Sequence, residues 1–155
     1  MEQHPNVIRV QAALRAGGCP AQIVLLPEAA PTAASAAAQL GVGVGQIANS
    51  LVFLADGIPL LVLTSGAHRV DTALVGAALG VKIARADADA VRAATGQPIG
   101  GVAPVGHPAP VRTLVDQALD EYAMVWAAAG IPQSVFPTSY SELLRLTRGS
   151  PAVVA

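Results

Sequence analysis

The 155-residue chain carries a formal net charge of −1, with 53% hydrophobic and 12% charged residues. This composition predicts a folded chain with a buried core, organised as one domain over residues 1–155. A domain that binds duplex DNA is usually basic, so the charge argues against DNA as a partner. Cys19 is the only cysteine, which excludes an intrachain disulfide and a cysteine zinc site.

The apolar segments are too short or too interrupted to cross a membrane. A transmembrane helix needs roughly 20 consecutive apolar residues. The most apolar region, residues 50–66, is interrupted by Asp56-Gly57 and by Pro59. The first residues also lack the charged start, apolar run and cleavage site of a signal peptide. We therefore expect no membrane partner and a cytoplasmic location.

The first half of the chain is predicted to contain two helices and three strands. Apolar spacing predicts a helix over residues 7–15, followed by a short strand over 22–26. Proline and threonine at the start and glycine at the end predict a second helix within residues 31–41. Asp56-Gly57 then separates two apolar runs, and this dipeptide is a strong signal for a β-hairpin.

The second half continues to alternate helices and strands. Two aspartates are predicted to cap helices that end at glycines, over residues 71–80 and 87–96. Ser139 and Glu142 form the sequence pattern of a capping box at the start of a last helix. Strands are expected at 81–86, 111–115, 124–130 and 134–138, and a helical turn is expected at 116–122. Because the hairpin is antiparallel, the alternation predicts an α+β fold with a mixed sheet.

Most familiar site motifs fail on context. The glycines of residues 41–45 follow a predicted helix and precede a strand, whereas a dinucleotide fingerprint needs the reverse order. The histidines do not form a pair at metal-binding spacing, and no serine lies in a nucleophile-elbow motif. The sequence therefore predicts neither a metal nor a cofactor.

Residues 96–110, GQPIGGVAPVGHPAP, form the most unusual segment of the chain. Its glycines and prolines exclude a helix or a central strand, and His107 is its only ionisable side chain. Glycines allow the main chain to approach a ligand and to present amides that bind a carbonyl oxygen or an oxyanion. From the residues alone, such a backbone-lined pocket and a tight structural turn both remain open.

Five segments in a fixed order resemble the YbaK/prolyl-tRNA editing family, which also occurs as an insertion domain in bacterial prolyl-tRNA synthetases. They are SLVFLADGIPLLVL, SGAHRVD, ALGVKIARA, TGQPIGGVAPVGH and SELLRLT. The resemblance covers a core of about residues 22–154. It implies a single YbaK-like α+β domain, in which a curved, barrel-like mixed β-sheet flanked by helices surrounds one pocket.

The resemblance also implies a freestanding trans-editing hydrolase. Such a protein deacylates the tRNA for proline when it carries a wrong small amino acid, typically alanine or cysteine. A synthetase pocket sized for proline cannot strongly reject smaller amino acids, so a second site removes the errors. The implied partners are the acceptor end of aminoacyl-tRNA, in particular the tRNA for proline, and the prolyl-tRNA synthetase.

The site residues follow from the same resemblance. The Gly-x-x-x-Pro loop of the family falls on Gly100 to Pro104, and we assign catalysis to Gly100 and Gly101, whose amides would hold the ester carbonyl. His107 is also assigned to catalysis, at the pocket mouth, where it would orient the substrate. The implied substrate-binding residues are Asn49, Ser50, Ser65, Gly66, Pro104, Gly106 and Gln133.

Two positions depart from the family pattern and keep a second hypothesis open. Asn49 stands where relatives commonly have lysine, and Gln133 stands where several have histidine. Asparagine forms hydrogen bonds but carries no charge to hold a phosphate or polarise an ester. The alternative function is therefore a non-catalytic binding module for an aminoacyl-tRNA end or a small ligand that resembles an amino acid.

Overall fold

The structure, a computed structural model, describes residues 3–155, and in this range it contains five α-helices and one eight-stranded mixed sheet. The helices are α1 (Pro5–Ala16), α2 (Ala33–Leu40), α3 (Thr72–Leu79), α4 (Ala88–Thr95) and α5 (Tyr140–Thr147). The strands are β1 (Val24–Leu25), β2 (Ile47–Ala55), β3 (Ile58–Ser65), β4 (Ile83–Arg85), β5 (Arg112–Asp116), β6 (Val125–Ala128), β7 (Ser134–Thr138) and β8 (Ser150–Ala152).

Local capping signals set the ends of the helices, as predicted. The side chains of Asp71 and Asp87 accept hydrogen bonds from the first turns of α3 and α4, and the glycines after α2, α3 and α4 adopt left-handed conformations. The capping box of α5 forms only in part. Ser139 accepts from the amide of Glu142, but the Glu142 carboxylate accepts a 2.7 Å hydrogen bond from the Thr138 hydroxyl.

The sheet is mixed and open. Its strand order is β1-β7-β6-β2-β3-β5-β8, with β4 pairing with β2 outside this path. The Asp56-Gly57 hairpin joins β2 and β3 antiparallel, whereas β2–β6, β3–β5 and β5–β8 are parallel. The α+β fold is therefore confirmed. The barrel-like description is corrected, because the end strands β1 and β8 do not pair within residues 3–155 and the sheet does not close.

Helices cover both faces of the central strand β3. Leu61 and Leu63 belong to the core cluster that includes α1 and α5 residues, whereas Leu60 and Val62 pack in the cluster that includes Val75 of α3. This burial on both faces explains the continuous apolar sequence of β3. None of the helices described in residues 3–155 has the length and apolar character required to span a bilayer.

Strand β2 has two different neighbours along one edge, and a gap lies between them. Ile47 and Ala48 pair with β6, and residues 53–55 pair with β4. Within residues 3–155, no strand pairs with residues 49–52 on this edge. On its other edge β2 pairs continuously with β3. The gap positions the candidate site.

Candidate active site

A cleft opens at the gap in the sheet and has two connected parts. The inner part has about 450 Å³ of empty volume, and the outer part has about 910 Å³, both partly open to solvent. Residues from α2, β2 and the glycine-proline loop line both parts: Pro31, Thr32, Ala33, Asn49, Ser50, Gly100 and Val102. Three segments that are distant in sequence therefore meet around one space.

The glycine-proline loop forms one wall of the cleft with a tight turn. The Gly101 amide donates a 2.9 Å hydrogen bond to the carbonyl of Pro98, and Gly100 has a φ of +85°. This is the geometry of a type II turn, which requires glycine at its third position. The amides of Gly100 and Val102 have no hydrogen-bond acceptor among residues 3–155, and both residues line the cleft. Neither amide is therefore used by the described part of the chain.

Gly101 supports the loop and does not supply a free donor. Its amide is used within the turn, and its carbonyl accepts a 2.9 Å hydrogen bond from the amide of Gly130. A Cβ on Gly101 would lie 2.6 Å from backbone atoms of Ile131. The expectation that both glycine amides are free is therefore corrected. These contacts hold Gly101 in place within the loop, and the Val102 amide is the second unpaired donor among residues 3–155.

Asn49 and Ser50 of β2 form another wall of the cleft, and their assignment to substrate binding stays a prediction. Both residues are half-buried and line both parts of the cleft. The hydroxyl of Ser50 and the indole N–H of Trp126 are buried without a hydrogen-bond partner among the described residues. Buried polar groups are normally paired, so these two are exceptions among the residues that line the cleft.

The cleft contains almost no charge. Arg85 lines the outer part and is the only charged residue that the described part of the chain contributes to the lining. Its side chain is exposed and forms no ion pair within the described part of the chain. Among residues 3–155 no carboxylate or imidazole belongs to the lining, so these side chains do not supply a general base.

The structure places three predicted site residues away from the cleft. Pro104, Gly106 and His107 line a separate depression next to Leu146 and Arg148. The Nε2–H of His107 donates a 2.8 Å hydrogen bond to the carbonyl of Ala103. A role for these three residues in the reaction stays a prediction without support from their position.

Three other predicted residues serve local structure beside the cleft. The Ser65 hydroxyl donates a 2.9 Å hydrogen bond to the carbonyl of Gly45, and Gln133 Nε2 donates a 2.9 Å hydrogen bond to the carbonyl of Leu26. Gly66 packs so closely that a Cβ would lie 2.4 Å from the carbonyl oxygen of Val44. Their assignment to substrate binding also stays a prediction.

Sequence reasoning missed several lining residues. Thr32 was recognised as a helix cap, but nothing in the sequence indicates that α2 starts beside the glycine-proline loop. Trp126 enters the inner part because β6 pairs with β2, with Ile47 opposite Trp126. Such a contact has no signal in spacing. The one available signal is that Trp126 is the single tryptophan of the chain, since a large ring with a polar N–H often lies at a binding surface.

We expect His107 to affect stability more than chemistry. Burial lowers its pKa below the ordinary value of 6.5, although the Ala103 carbonyl opposes the shift. As the pH falls, the unfolded chain therefore binds this proton at a higher pH than the folded chain does. The contribution of neutral His107 to the free energy of unfolding is full above about pH 6.5 and is lost as the pH falls below that value. Thermal unfolding from pH 5 to 8 should show that the stability of wild type falls more steeply on acidification than the stability of His107→Gln.

The His107→Ala variant should retain more than about 1% of the deacylation rate, and a larger loss would make His107 the base.

We expect Asn49 to contribute one neutral hydrogen bond to a bound substrate. Its side chain has no hydrogen bond within residues 3–155 and lines the cleft. Asn49→Ala should lower the single-turnover deacylation rate roughly 2- to 10-fold. Asn49→Lys should be tolerated and should raise tRNA affinity mainly at low salt, because an ammonium attracts phosphate through a screened interaction. Equal rates for wild type and Asn49→Ala throughout a salt series would remove Asn49 from the site.

Comparison with known proteins identifies the class to which this fold and cleft belong. Residues 27–146 match the family model described as the aminoacyl-tRNA editing domain, and the chain belongs to this family. The resemblance found in the sequence is therefore confirmed. The family establishes aminoacyl-tRNA editing as the general function of the domain.

The chain is also similar to individual proteins, two of which have names that refer to proline and its tRNA synthetase. It is 33% identical over 115 residues to a proline–tRNA ligase of Desulfovibrio desulfuricans (strain ATCC 27774 / DSM 6949 / MB), covering 71% of this chain and 20% of the ligase. This chain thus matches about a fifth of that curated relative. A solved structure of a proposed trans-editing enzyme for prolyl tRNA synthetase is 39% identical, with a TM-score of 0.92 and coverage of 99% and 98% of the two chains. A scaffold protein from computational epitope grafting is 38% identical, with a TM-score of 0.90 and coverage of 98% and 97%.

Proposed function

We propose that this protein is a freestanding deacylase that hydrolyses the ester of mischarged aminoacyl-tRNA. The observation that carries the proposal is the cleft in which unpaired amides of Gly100 and Val102 lie across from Asn49 and Ser50. The substrate is the tRNA for proline carrying a small amino acid such as alanine or cysteine. The similarity to the trans-editing structure and to the proline–tRNA ligase supports this choice of tRNA.

The unpaired amides of the loop are suited to ester hydrolysis. Water adds to the ester carbonyl, and the negative charge that develops on the carbonyl oxygen is held by the amides of Gly100 and Val102. The bond to the ribose oxygen then breaks, the ribose oxygen takes a proton, and the free amino acid and the tRNA leave. Because the lining offers no side-chain base, a hydroxyl of the terminal adenosine or another group on the substrate assists the proton transfer.

The lining of the inner part favours a small amino-acid side chain. Alanines contribute much of this lining: Ala30, Ala33, Ala36, Ala48, Ala127 and Ala128. Trp126 and Val135 close the remaining space. A compartment of this kind accepts the small amino acids that a synthetase pocket for proline fails to reject, and it excludes larger groups. This is the principle of a second editing site.

The outer part suits the nucleotide end of the substrate. Phe53 and Ile99 provide apolar surface for a base or ribose, and Arg85 provides a positive charge for a phosphate. The partner is therefore the acceptor end of the tRNA. The prolyl-tRNA synthetase is a second candidate partner, since it produces the mischarged tRNA.

A deacylation screen tests the proposal. Chelator-treated protein is incubated with tRNAs that carry alanine, cysteine, serine, threonine or proline, and the remaining ester is measured. We expect hydrolysis of the alanyl or cysteinyl ester and protection of the prolyl ester. No hydrolysis of any ester at high protein concentration would contradict a deacylase. The binding module would then be favoured if filter binding still detects the charged tRNA, a possibility that the uncharged Asn49 keeps open.

A further inference from the structure

A second groove continues from the outer part of the cleft along strand β2. Leu51, Phe53 and Arg85 line both spaces, and Arg69 with residues 70–72 completes the groove, which has about 910 Å³ of empty volume partly open to solvent. We call this space the arginine groove. Leu51 and Phe53 alternate along β2, so their side chains lie on one face of the strand. A ligand in the outer part of the cleft can therefore extend into the arginine groove over a continuous apolar surface.

The arginine groove carries positive charge that the described part of the chain does not neutralise. Arg69 and Arg85 are both exposed, and neither forms an ion pair within residues 3–155. Asp71 also lines the groove, and its carboxylate caps α3 by accepting a hydrogen bond from the Leu74 amide. Two cations thus face one carboxylate, in a chain whose net charge is −1. This balance suits a ligand group with a single negative charge.

The turn that carries Arg69 is held on both sides. Before Arg69, the Nδ1–H of His68 donates a 2.8 Å hydrogen bond to the carboxylate of Asp116, which is buried at the end of β5. After Arg69, the Asp71 amide donates a 2.7 Å hydrogen bond to the carbonyl of Val154. Because the neighbouring residues are fixed, less conformational freedom of the turn is lost when the Arg69 guanidinium binds a ligand.

The position of the arginine groove indicates which anion it would bind. In the proposed deacylase, the outer part of the cleft holds the terminal adenosine of the tRNA. The next group along the RNA strand is the phosphate diester on the 5′ oxygen of that adenosine, and it carries one negative charge. Guanidinium groups bind phosphate oxygens through pairs of N–H donors. The apolar surface of Leu51 and Phe53 is suited to the base or ribose that follows.

We propose that Arg69 and Arg85 bind the phosphate diester that joins the terminal adenosine of the tRNA to the nucleotide before it. This inference rests on the proposed deacylase function and adds a second nucleotide position to its site. The substrate is then recognised as a strand that runs from the cleft along β2 toward the start of α3. The pair formed by His68 and Asp116 supports this position through the turn and does not touch the strand.

Binding of amide-linked probes tests the inference without requiring turnover. The parent probe is 3′-amino-3′-deoxyadenosine acylated with alanine. A second probe adds a methyl phosphate diester at the 5′ oxygen, and a third adds the uncharged dimethyl triester of the same shape. Calorimetry at about 0.05 M salt should show that the diester binds roughly 3- to 20-fold more tightly than the triester. This gain should shrink at about 0.5 M salt, because exposed charges are screened. Equal affinities of diester and triester, or no binding of any probe, would overturn the assignment.

A fourth probe distinguishes a strand from a free nucleotide. It carries cytidine 3′-phosphate in place of the methyl phosphate and is therefore a dinucleotide. We expect it to bind at least as tightly as the methyl diester, because the arginine groove leaves room for a second nucleotide. Weaker binding of the dinucleotide would mean that the groove accepts the phosphate of a single nucleotide and not an RNA strand.

Substitutions at the arginine groove should change the gain from the diester in opposite directions. Arg69→Gln should remove most of the gain and leave the affinity for the triester unchanged, because Arg69 does not line the cleft. Arg69→Lys should restore part of it. Asp71→Asn keeps a side chain that caps α3 and should increase the gain roughly 2-fold, because a negative charge is removed. A full gain in Arg69→Gln would contradict the proposal.

Arg15→Gln is the matched control for Arg69→Gln. Arg15 is exposed on α1 and lines neither the cleft nor the arginine groove. Its substitution changes the net charge of the chain by the same amount, so it should leave the gain from the diester unchanged. Equal losses in the two variants would show a general electrostatic effect and would overturn the site.

Deacylation then separates this inference from the proposed function. The alanyl esters of adenosine and of cytidylyl-(3′→5′)-adenosine are compared in wild type and Arg69→Gln. A higher kcat/KM for the dinucleotide that is lost in Arg69→Gln supports both proposals. Equal kcat/KM values for the two esters in wild type overturn the second nucleotide position and leave the deacylase intact. If neither ester is hydrolysed but the diester probe binds preferentially, the phosphate site stands and the deacylase fails.

Discussion

Replacement of Gly100 by alanine is expected to lower the single-turnover deacylation rate by roughly a hundredfold or more. Gly100 adopts a φ of +85° and lines both parts of the cleft. Alanine disfavours this conformation, and its Cβ would lie 3.3 Å from backbone atoms of Pro31. The turn would shift, and the amides of Gly100 and Val102 would move away from the carbonyl oxygen. Loss of one such donor raises the barrier by about 2.7–4 kcal/mol in known hydrolases.

Gly96→Ala is the matched control for this variant. Gly96 lies in the same segment and has a φ of +73°, but it ends α4 and does not line the cleft. Both variants should lose about 1–2 kcal/mol of stability from backbone strain. Only Gly100→Ala should lose the hundredfold in rate. Similar rates for the two variants, measured on folded protein, would move the chemistry away from this turn.

Replacement of Gly101 by alanine should damage the fold itself. The new Cβ would lie 2.6 Å from backbone atoms of Ile131 and 2.9 Å from the nitrogen of Pro132. Since these atoms belong to the main chain, they cannot move aside as a side-chain end can. We expect the free energy of unfolding to fall by about 3 kcal/mol or more, near the upper end for overpacking. For a chain of this size the melting temperature would fall by about 6 °C or more.

Thermal unfolding of Gly101→Ala and Gly43→Ala measures this effect. Gly43 has a φ of −71°, and a Cβ there would meet only the Gln46 side chain at 3.7 Å. That substitution should be neutral or slightly stabilising. A wild-type melting temperature for Gly101→Ala would mean that the segment at Ile131 yields easily, and Gly101 would lose its role as a support for the loop.

Local sequence signals predicted the elements that local chemistry controls. Asp56-Gly57 identified the hairpin, and Asp71 and Asp87 identified the starts of two helices. Strand β8 was missed, because Ser150-Pro151-Ala152 has no strand pattern. The proline is tolerated there because β8 is an edge strand, where one side of the chain needs no hydrogen-bond partner.

The cleft itself was only partly predictable. The glycine-proline segment indicated Gly100 from its composition, and the family resemblance indicated Asn49 and Ser50. The gap in β2 depends on parallel pairing with β6, a contact between residues almost 80 positions apart that leaves no local pattern. His107 was expected in the same site as Gly100 because both belong to the glycine-proline segment. The loop instead places His107 in a different depression.

Main-chain amides of the loop provide the donors on one wall of the cleft, and an unpaired edge of β2 forms another wall. This arrangement has a consequence for how specificity can change. Substitutions at Ala36, Ala127 or Ala128 would alter the size of the inner part without removing any amide of the loop. In the proposed deacylase, the groups that act on the ester and the side chains that set the size of the pocket would therefore lie in different parts of the polypeptide. A few side-chain changes would then be enough to alter the amino-acid preference, in related chains or by design, while the amides of the loop stay in place.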